Sequence, residues 1–189
     1  MTVTGTIPAN PNGVAIEAIR EARQAMTDTP AAATFTWRAR NQWVDGTHSV
    51  TSFEDFYGAG EEQVHKRVFT FDADHPELFA AEDNGPTPVE FLLHALAGCL
   101  TAGIASVAAN RGVQLTKVTS TLEGDMDLRG ILGIDKQVRN GYSTIRVAFE
   151  VEGDADEDEL RAIVAQSRAR SAVYDVITSA VDVQISVST

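Results

Sequence analysis

Hydrophobic and polar positions alternate in three stretches of the first half of the chain, and such alternation predicts β-strands. The stretches are residues 34–44, 47–56 and 64–74. Asp45-Gly46, between the first two, is a hairpin signal. Earlier, apolar residues at helical spacing predict a short helix over 13–26, which Pro30 ends. The first third of the chain is therefore expected to be a short helix followed by an antiparallel sheet.

A long apolar run over residues 88–111 predicts the central helix. Thr87, Pro88 and Glu90 supply a cap, a first-turn proline and a capping-box glutamate, and Gly112 ends the helix. Because the run is apolar on nearly every side, the helix should be buried. Its small residues form a stripe that another backbone can approach. They are Ala95, Gly98, Cys99, Ala102, Gly103 and Ser106.

Strand and helix patterns then alternate to the end of the chain. Strands are predicted over 114–127 and 142–153, a helix over 159–170, and a final strand over 181–187. Strands, helix, strands, helix and strand in this order predict an α+β fold rather than repeated βαβ units. We expect a single soluble domain built around the long helix, which carries the only cysteine.

Composition narrows the classes of function. The 189 residues carry a formal charge of −12, which argues against nucleic acid or an anionic membrane as partner. The N-terminus is not typical of a signal peptide, and the apolar run at 91–109 falls short of a membrane span, so we expect a cytoplasmic protein. One cysteine and four histidines without metal-ligand spacing predict neither a disulfide nor a metal site, and no cofactor is predicted.

Two segments resemble the OsmC/Ohr family, the osmotically inducible and organic hydroperoxide resistance proteins. They are GPTPVEFLLHALAGCLTAGIASVAANRGVQLTKVTSTLEGDMDLRG, residues 85–130, and RSAVYDVITSAVDVQISV, residues 170–187. The resemblance extends over roughly 34–189 and leaves 1–33 as an N-terminal extension. It implies an OsmC-like fold, with antiparallel sheets wrapped around the long cysteine-bearing helix, and an intertwined homodimer.

The resemblance places Cys99 at the family's reactive position. In peroxide-reducing members a thiolate there attacks an organic hydroperoxide, and a second cysteine then forms a disulfide. Ser171 stands at the position of that resolving cysteine. A serine cannot form the disulfide, so turnover here would need an external thiol reductant or a bond between two Cys99 residues.

The resemblance also implies an activating glutamate and an activating arginine. The glutamate is expected directly after the helix-starting proline, but Val89 stands there and Glu90 follows. Glu90 and Cys99 point to opposite faces of one helix, so capping is the alternative role for Glu90.

No arginine follows the first hairpin turn, where the activating group is expected. Arg38 and Arg40 are candidates if the register shifts, and His48 could supply a cation instead. Tyr174, in the turn predicted after Ser171, is expected to line a pocket with His48.

Two functions stay open from the sequence. One is thiol-dependent reduction of organic hydroperoxides through Cys99. The other is a non-catalytic protein of the same fold that binds a small hydrophobic ligand at the dimer interface. A free cysteine on a packed helix can also be a small buried hydrophobe without reactivity.

Overall fold

The chain folds as two units, which this computed structural model describes over residues 11–188. We call residues 17–92 the sheet unit. The remainder, residues 11–16 together with 93–188, is the cysteine unit. Each unit is described by itself below.

Five helices and six strands make up the described chain. The helices are α1 (Ile16–Asp28), α2 (Pro88–Arg111), α3 (Leu128–Ile131), α4 (Glu157–Ala169) and α5 (Ala172–Thr178). The strands are β1 (Thr36–Trp37), β2 (Arg40–Asp45), β3 (His48–Gly58), β4 (Glu61–Ala73), β5 (Leu115–Asp125) and β6 (Thr144–Gly153). Single turns of 3-10 helix lie at Pro11–Gly13, Pro30–Ala33 and Glu77–Phe79. Mixed α+β structure with antiparallel sheets and one long helix is what the sequence predicts.

The sheet unit is built on β3, which pairs antiparallel with β1, β2 and β4. The predicted hairpin at Asp45-Gly46 is confirmed, with Asp45 opposite His48 and Gly46 at φ 46°. The next turn places Ala59 and Gly60 at positive φ, which suits a two-residue turn between β3 and β4.

Aromatic rings stack along this sheet rather than being buried in it. The ring centroids of Trp37 and Phe56 are 4.7 Å apart, and those of Phe35 and Trp37 are 5.5 Å apart. The Trp37 side chain nevertheless remains 68% exposed. Stacked pairs add about 0.5–1.5 kcal/mol each beyond the area that they bury, so the ring contacts stabilise this sheet although its rings remain exposed.

A buried carboxylate holds the connection that leads from β4 to α2. Asp74 is 2% exposed and accepts hydrogen bonds from the Thr47 hydroxyl (2.6 Å) and the His75 backbone N–H (2.7 Å). Its other oxygen accepts both the backbone N–H and the side-chain amide of Asn84. The Thr47 hydrogen bond outweighs desolvation, and with the bonds from Asn84 and His75 it holds the pKa of Asp74 well below its usual range.

Helix α2 begins and ends where the sequence predicts. The Glu90 carboxylate accepts the Thr87 backbone N–H at 2.9 Å, one half of the predicted capping box. Gly112 adopts φ 76° after the last helical residue, and Val113 donates its N–H to the Ala108 carbonyl, a Schellman-type end. By length and composition α2 could cross a membrane, a test that the core helix of a soluble protein also passes.

The cysteine unit has a buried apolar core between α2 and α4. Ile104 and Ile163 are fully buried, and Val107, Ala108 and Val113 complete the cluster. Strands β5 and β6 pair antiparallel, and Val118 and Phe149 pack against this cluster.

One glycine of the predicted small-residue stripe lies where another helix approaches. A Cβ at Gly103 would stand 2.3 Å from Ser167 Oγ on α4. The buried Ser167 hydroxyl donates to the Leu100 carbonyl at 2.7 Å. The close approach that the stripe predicts is thus confirmed at Gly103, and the neighbour is α4.

Two predictions near the C-terminus are wrong. Residues 181–187 form no strand, because alternation supplies only a favourable side-chain pattern and a strand also needs a hydrogen-bonding neighbour. The turn predicted after Ser171 is the short helix α5. Ser171 and Asp175 supply the cap and the first-turn acid that such a helix favours.

Candidate functional site

The site is built around Cys99, on the part of α2 that belongs to the cysteine unit. Its side chain is half-buried, between the buried Leu96 and Leu100 on the same helix. The thiol is therefore partly accessible to solvent, as reactive cysteines are.

Ser171 is placed against this cysteine by the break between α4 and α5. Helix α4 ends at Ala169, and Ser171, with φ −78° and ψ 116°, is the N-cap of α5. Its hydroxyl oxygen accepts the Tyr174 backbone N–H at 3.1 Å. The side chain is 5% exposed, so its position is fixed by burial as well as by capping.

The Ser171 hydroxyl donates a hydrogen bond to Cys99 Sγ at 3.1 Å. Burial raises the pKa of the Cys99 thiol, whereas the hydrogen bond from Ser171 and those from the Val173 and Ala172 backbone N–H groups lower it. The hydrogen bonds have the larger combined effect, so the pKa of the Cys99 thiol lies below its usual value. These donors favour the thiolate because they stabilise the charge on sulfur, and the thiolate is the nucleophilic form.

Tyr174 lies on the first turn of α5 and is half-buried. The guanidinium of Arg168, at the end of α4, lies 5.9 Å from the centroid of its ring. Cys99, Ser171 and Tyr174 are thus brought together, the first two by direct contact and the third through the capping bond. Its predicted role in lining a pocket stays a prediction.

Glu90 and His48 belong to the sheet unit and have contacts of their own there. Glu90 caps α2 through Thr87, as the structural alternative predicts. His48 Nε2 lies 2.8 Å from Asp72 Oδ1 on the neighbouring strand, with 16% of the histidine side chain exposed. The catalytic and pocket roles named for these two residues stay predictions.

The two arginines considered as activating groups are engaged in ion pairs within the sheet unit. Arg38 bonds to Asp55 at 3.0 Å and to Glu62 at 2.9 Å, and Arg40 lies 2.6 Å from Asp55. Hydrogen bonds from Arg40 and then Arg38 hold the pKa of Asp55 below its usual range. Both guanidinium groups therefore have carboxylate partners on the same sheet.

Over residues 11–188, no group of three or more histidine, cysteine, aspartate or glutamate side chains could hold a metal ion. Sequence reasoning missed the backbone donors of Ala172 and Val173. Their signal was present, because a serine such as Ser171 followed by an acid in the next turn, here Asp175, is typical of a helix N-terminus.

A comparison with known proteins shows the family to which the chain belongs. A family model described as OsmC-like protein matches residues 81–186, more than half of the chain. No curated protein matches.

Two solved structures show the same fold. A crystal structure of an OsmC-like protein from Mycoplasma pneumoniae is similar with TM-score 0.59 and 14% identity, over 77% of this chain and 89% of that chain. An organic hydroperoxide resistance protein OsmC from Legionella pneumophila is similar with TM-score 0.53 and 20% identity, over 83% of this chain and 99% of that chain.

Proposed function

Because the chain belongs to the OsmC-like protein family, we propose that it reduces organic hydroperoxides with Cys99 as the nucleophile. The observation that supports this best is the set of hydrogen bonds to Cys99 Sγ, from the Ser171 hydroxyl and two backbone N–H groups, which lowers the pKa of the thiol. A half-buried sulfur with three donors is more reactive than a cysteine that merely fills space.

The proposed reaction has two stages. The Cys99 thiolate attacks the distal oxygen of the hydroperoxide, forming an S–O bond and breaking the O–O bond. The alkoxide that leaves takes up a proton and becomes an alcohol, and Cys99 is oxidised to a sulfenic acid. An external thiol then displaces water to give a mixed disulfide, and a second thiol restores Cys99.

An external reductant is required because the chain holds one cysteine, and a bond between two Cys99 residues, the other route, would also have to be reduced. Ser171 lies 3.1 Å from the sulfur, at the place where a second cysteine would reach it, and a hydroxyl cannot close a disulfide. In this proposal Ser171 is a positioning and activating residue, and the electrons come from outside the chain.

A second copy of the chain is part of the same proposal. The sheet unit leaves Trp37 68% exposed, Phe71 44% exposed and Phe35 36% exposed, and each of these rings contacts another ring. Several exposed aromatic rings on one sheet favour burial against a partner chain. A homodimer would cover them and could form a pocket for a hydrophobic hydroperoxide.

The second candidate function is non-catalytic binding of a small hydrophobic ligand by this dimer. The ion pairs of Arg38 and Arg40 favour it, because guanidinium groups neutralised by Asp55 and Glu62 are less available to activate a thiol. A rise in melting temperature with an apolar ligand, without any thiol oxidation, would support this candidate.

The deciding experiment measures loss of the free Cys99 thiol with cumene hydroperoxide, tert-butyl hydroperoxide and hydrogen peroxide. Rapid loss selective for the organic peroxides is the expected result, together with consumption of the hydroperoxide that is absent in Cys99→Ser. Rates no faster than those of a small-molecule thiol would contradict the proposal and favour the binding function.

A further inference from the structure

The hydrogen bonds to Cys99 Sγ come from one short segment of the chain. The donors are the Ser171 hydroxyl and the backbone N–H groups of Ala172 and Val173. We call residues 167–174, where α4 ends and α5 begins, the α4–α5 corner. Because the three donors are consecutive residues, a shift of this corner away from Cys99 would weaken their hydrogen bonds together.

Helix α5 does not hold this position through packing of its own. It has seven residues, and none of them is buried. Isolated helices shorter than about 12–15 residues are only marginally stable in water. The position of the α4–α5 corner therefore depends on contacts that it makes with the end of α4.

The end of α4 is fixed to α2 beside the thiol. The buried Ser167 hydroxyl donates to the carbonyl of Leu100, the residue after Cys99, at 2.7 Å. Breaking a buried hydrogen bond is costly, because it leaves a donor and an acceptor without partners. The last turn of α4 is thus a fixed point from which the α4–α5 corner can be held.

Arg168 contacts the α4–α5 corner in two ways. Its carbonyl accepts the Ser171 backbone N–H at 3.2 Å, and its guanidinium carbon lies 5.9 Å from the centroid of the Tyr174 ring. Tyr174 in turn donates its backbone N–H to the Ser171 hydroxyl oxygen at 3.1 Å. Ser171 is therefore held by two residues whose side chains contact each other.

The guanidinium of Arg168 has no carboxylate partner within residues 11–188. Arg161, the other arginine of α4, differs in this respect, because it pairs with Glu157 and Asp158. A guanidinium that is not engaged by a carboxylate is available to the face of an aromatic ring.

We propose that Arg168 is a positioning residue for Cys99, which holds the Tyr174 ring and, through it, the α4–α5 corner against the sulfur. Arg168 acts through the donors of the corner and does not itself contact the reacting atoms. The inference rests on the proposed function of Cys99 as a nucleophile, but its test uses the thiol alone, without a hydroperoxide.

The pH profile of Cys99 alkylation by iodoacetamide tests this proposal. The midpoint of the profile reports the pKa of the thiol, whereas the plateau at high pH reports access to it. Arg168→Gln and Tyr174→Leu each raise the midpoint and slow alkylation below it by about two- to fivefold, the factor that one exposed cation–π contact supports. Tyr174→Phe keeps the ring and the parent midpoint. The two disruptive variants break the same contact from either side, so a folding defect in one leaves the other as the test.

Arg170→Gln is the matched control for loss of charge, because it removes a cation two residues away for which the structure shows no ring contact. The double variant Arg168→Gln/Tyr174→Leu has the midpoint of the single variants, because both act through one contact. An unchanged midpoint in Arg168→Gln would overturn the proposal. Equal shifts in both arginine variants would also overturn it and assign the effect to charge at the end of α4. The expected shifts in a protein that consumes no hydroperoxide would support the positioning role and contradict the proposed function alone.

Discussion

The sheet unit and the cysteine unit differ in how far they bury their apolar side chains. Every apolar side chain that is buried among the described residues lies in the cysteine unit, with Ile104 and Ile163 fully enclosed. In the sheet unit Trp37 and Trp43 are each 68% exposed. Burial of a large apolar side chain contributes about 1.5–3 kcal/mol, whereas an exposed ion pair contributes about 0–1 kcal/mol.

This difference shows which unit can be stable through its own packing. The cysteine unit has helices against a strand pair and a core between them. The sheet unit depends on ring stacking, on the pairs formed by Arg38 and Arg40, and on Asp74, so it is the part that gains most from a cover. The proposed second copy would supply that cover.

The largest expected effect is on the core. Ile163→Ala removes a fully buried side chain and should lower the free energy of unfolding by about 2–5 kcal/mol. Val64→Ala, at a side chain 77% exposed in the sheet unit, should change it by less than about 0.5 kcal/mol. Urea denaturation measures both free energies of unfolding. Equal decreases would contradict the conclusion that buried packing stabilises the cysteine unit more than the sheet unit.

The next largest effect on stability is expected from substituting two glycines of helix α2. Gly103→Ala forces a Cβ against Ser167 and should cost about 1–3 kcal/mol. Gly98→Ala meets no atom within 4 Å and should stabilise α2 by up to about 1 kcal/mol through helix propensity. Thermal unfolding of the two variants distinguishes tight packing at one position of the cysteine unit from a general intolerance of α2 to substitution of its glycines.

Asp74→Asn tests the contribution of the buried Asp74 carboxylate to the stability of the sheet unit. The pKa of Asp74 is lowered in the folded chain, so its contribution to stability is complete above the unfolded value near 3.9 and is lost as pH falls through and below it. The variant should melt at a lower temperature at pH 7 and lose less further stability between pH 5 and pH 2. Parallel pH–stability curves for variant and parent would exclude this role.

The smallest expected effect concerns the site. Ser171→Ala removes the α5 cap and should cost about 1 kcal/mol. It also removes the hydroxyl donor to Cys99, so the thiol pKa should rise and alkylation by iodoacetamide at pH 7 should slow.

Ser171→Thr is the control for that variant, because it retains the hydroxyl. Alkylation at the parent rate in both variants would show that the backbone donors alone set the reactivity of Cys99. A slow Ser171→Ala and a normal Ser171→Thr would assign the effect to the hydroxyl.

The sequence predicts most of the fold because its signals are local. The hairpin at Asp45-Gly46, the start of α2 at Pro88 and its end before Gly112 each depend on neighbouring residues. The Cys99–Ser171 contact was accessible only through family resemblance, since 72 residues separate the partners. The pairing of Arg38 with Glu62 and the absence of a strand at 181–187 depend on tertiary neighbours, which periodicity does not reveal.

Asp74 also bears on the order in which the sheet unit folds. Its carboxylate joins Thr47, 27 residues earlier, and Asn84, ten residues later. A charge removed from water before these donors arrive is strongly unfavourable. Intermediates that bury Asp74 without both segments are therefore disfavoured. The β2–β3 turn and the connection into α2 should therefore form in one cooperative step, so that both segments become protected at the same rate during refolding.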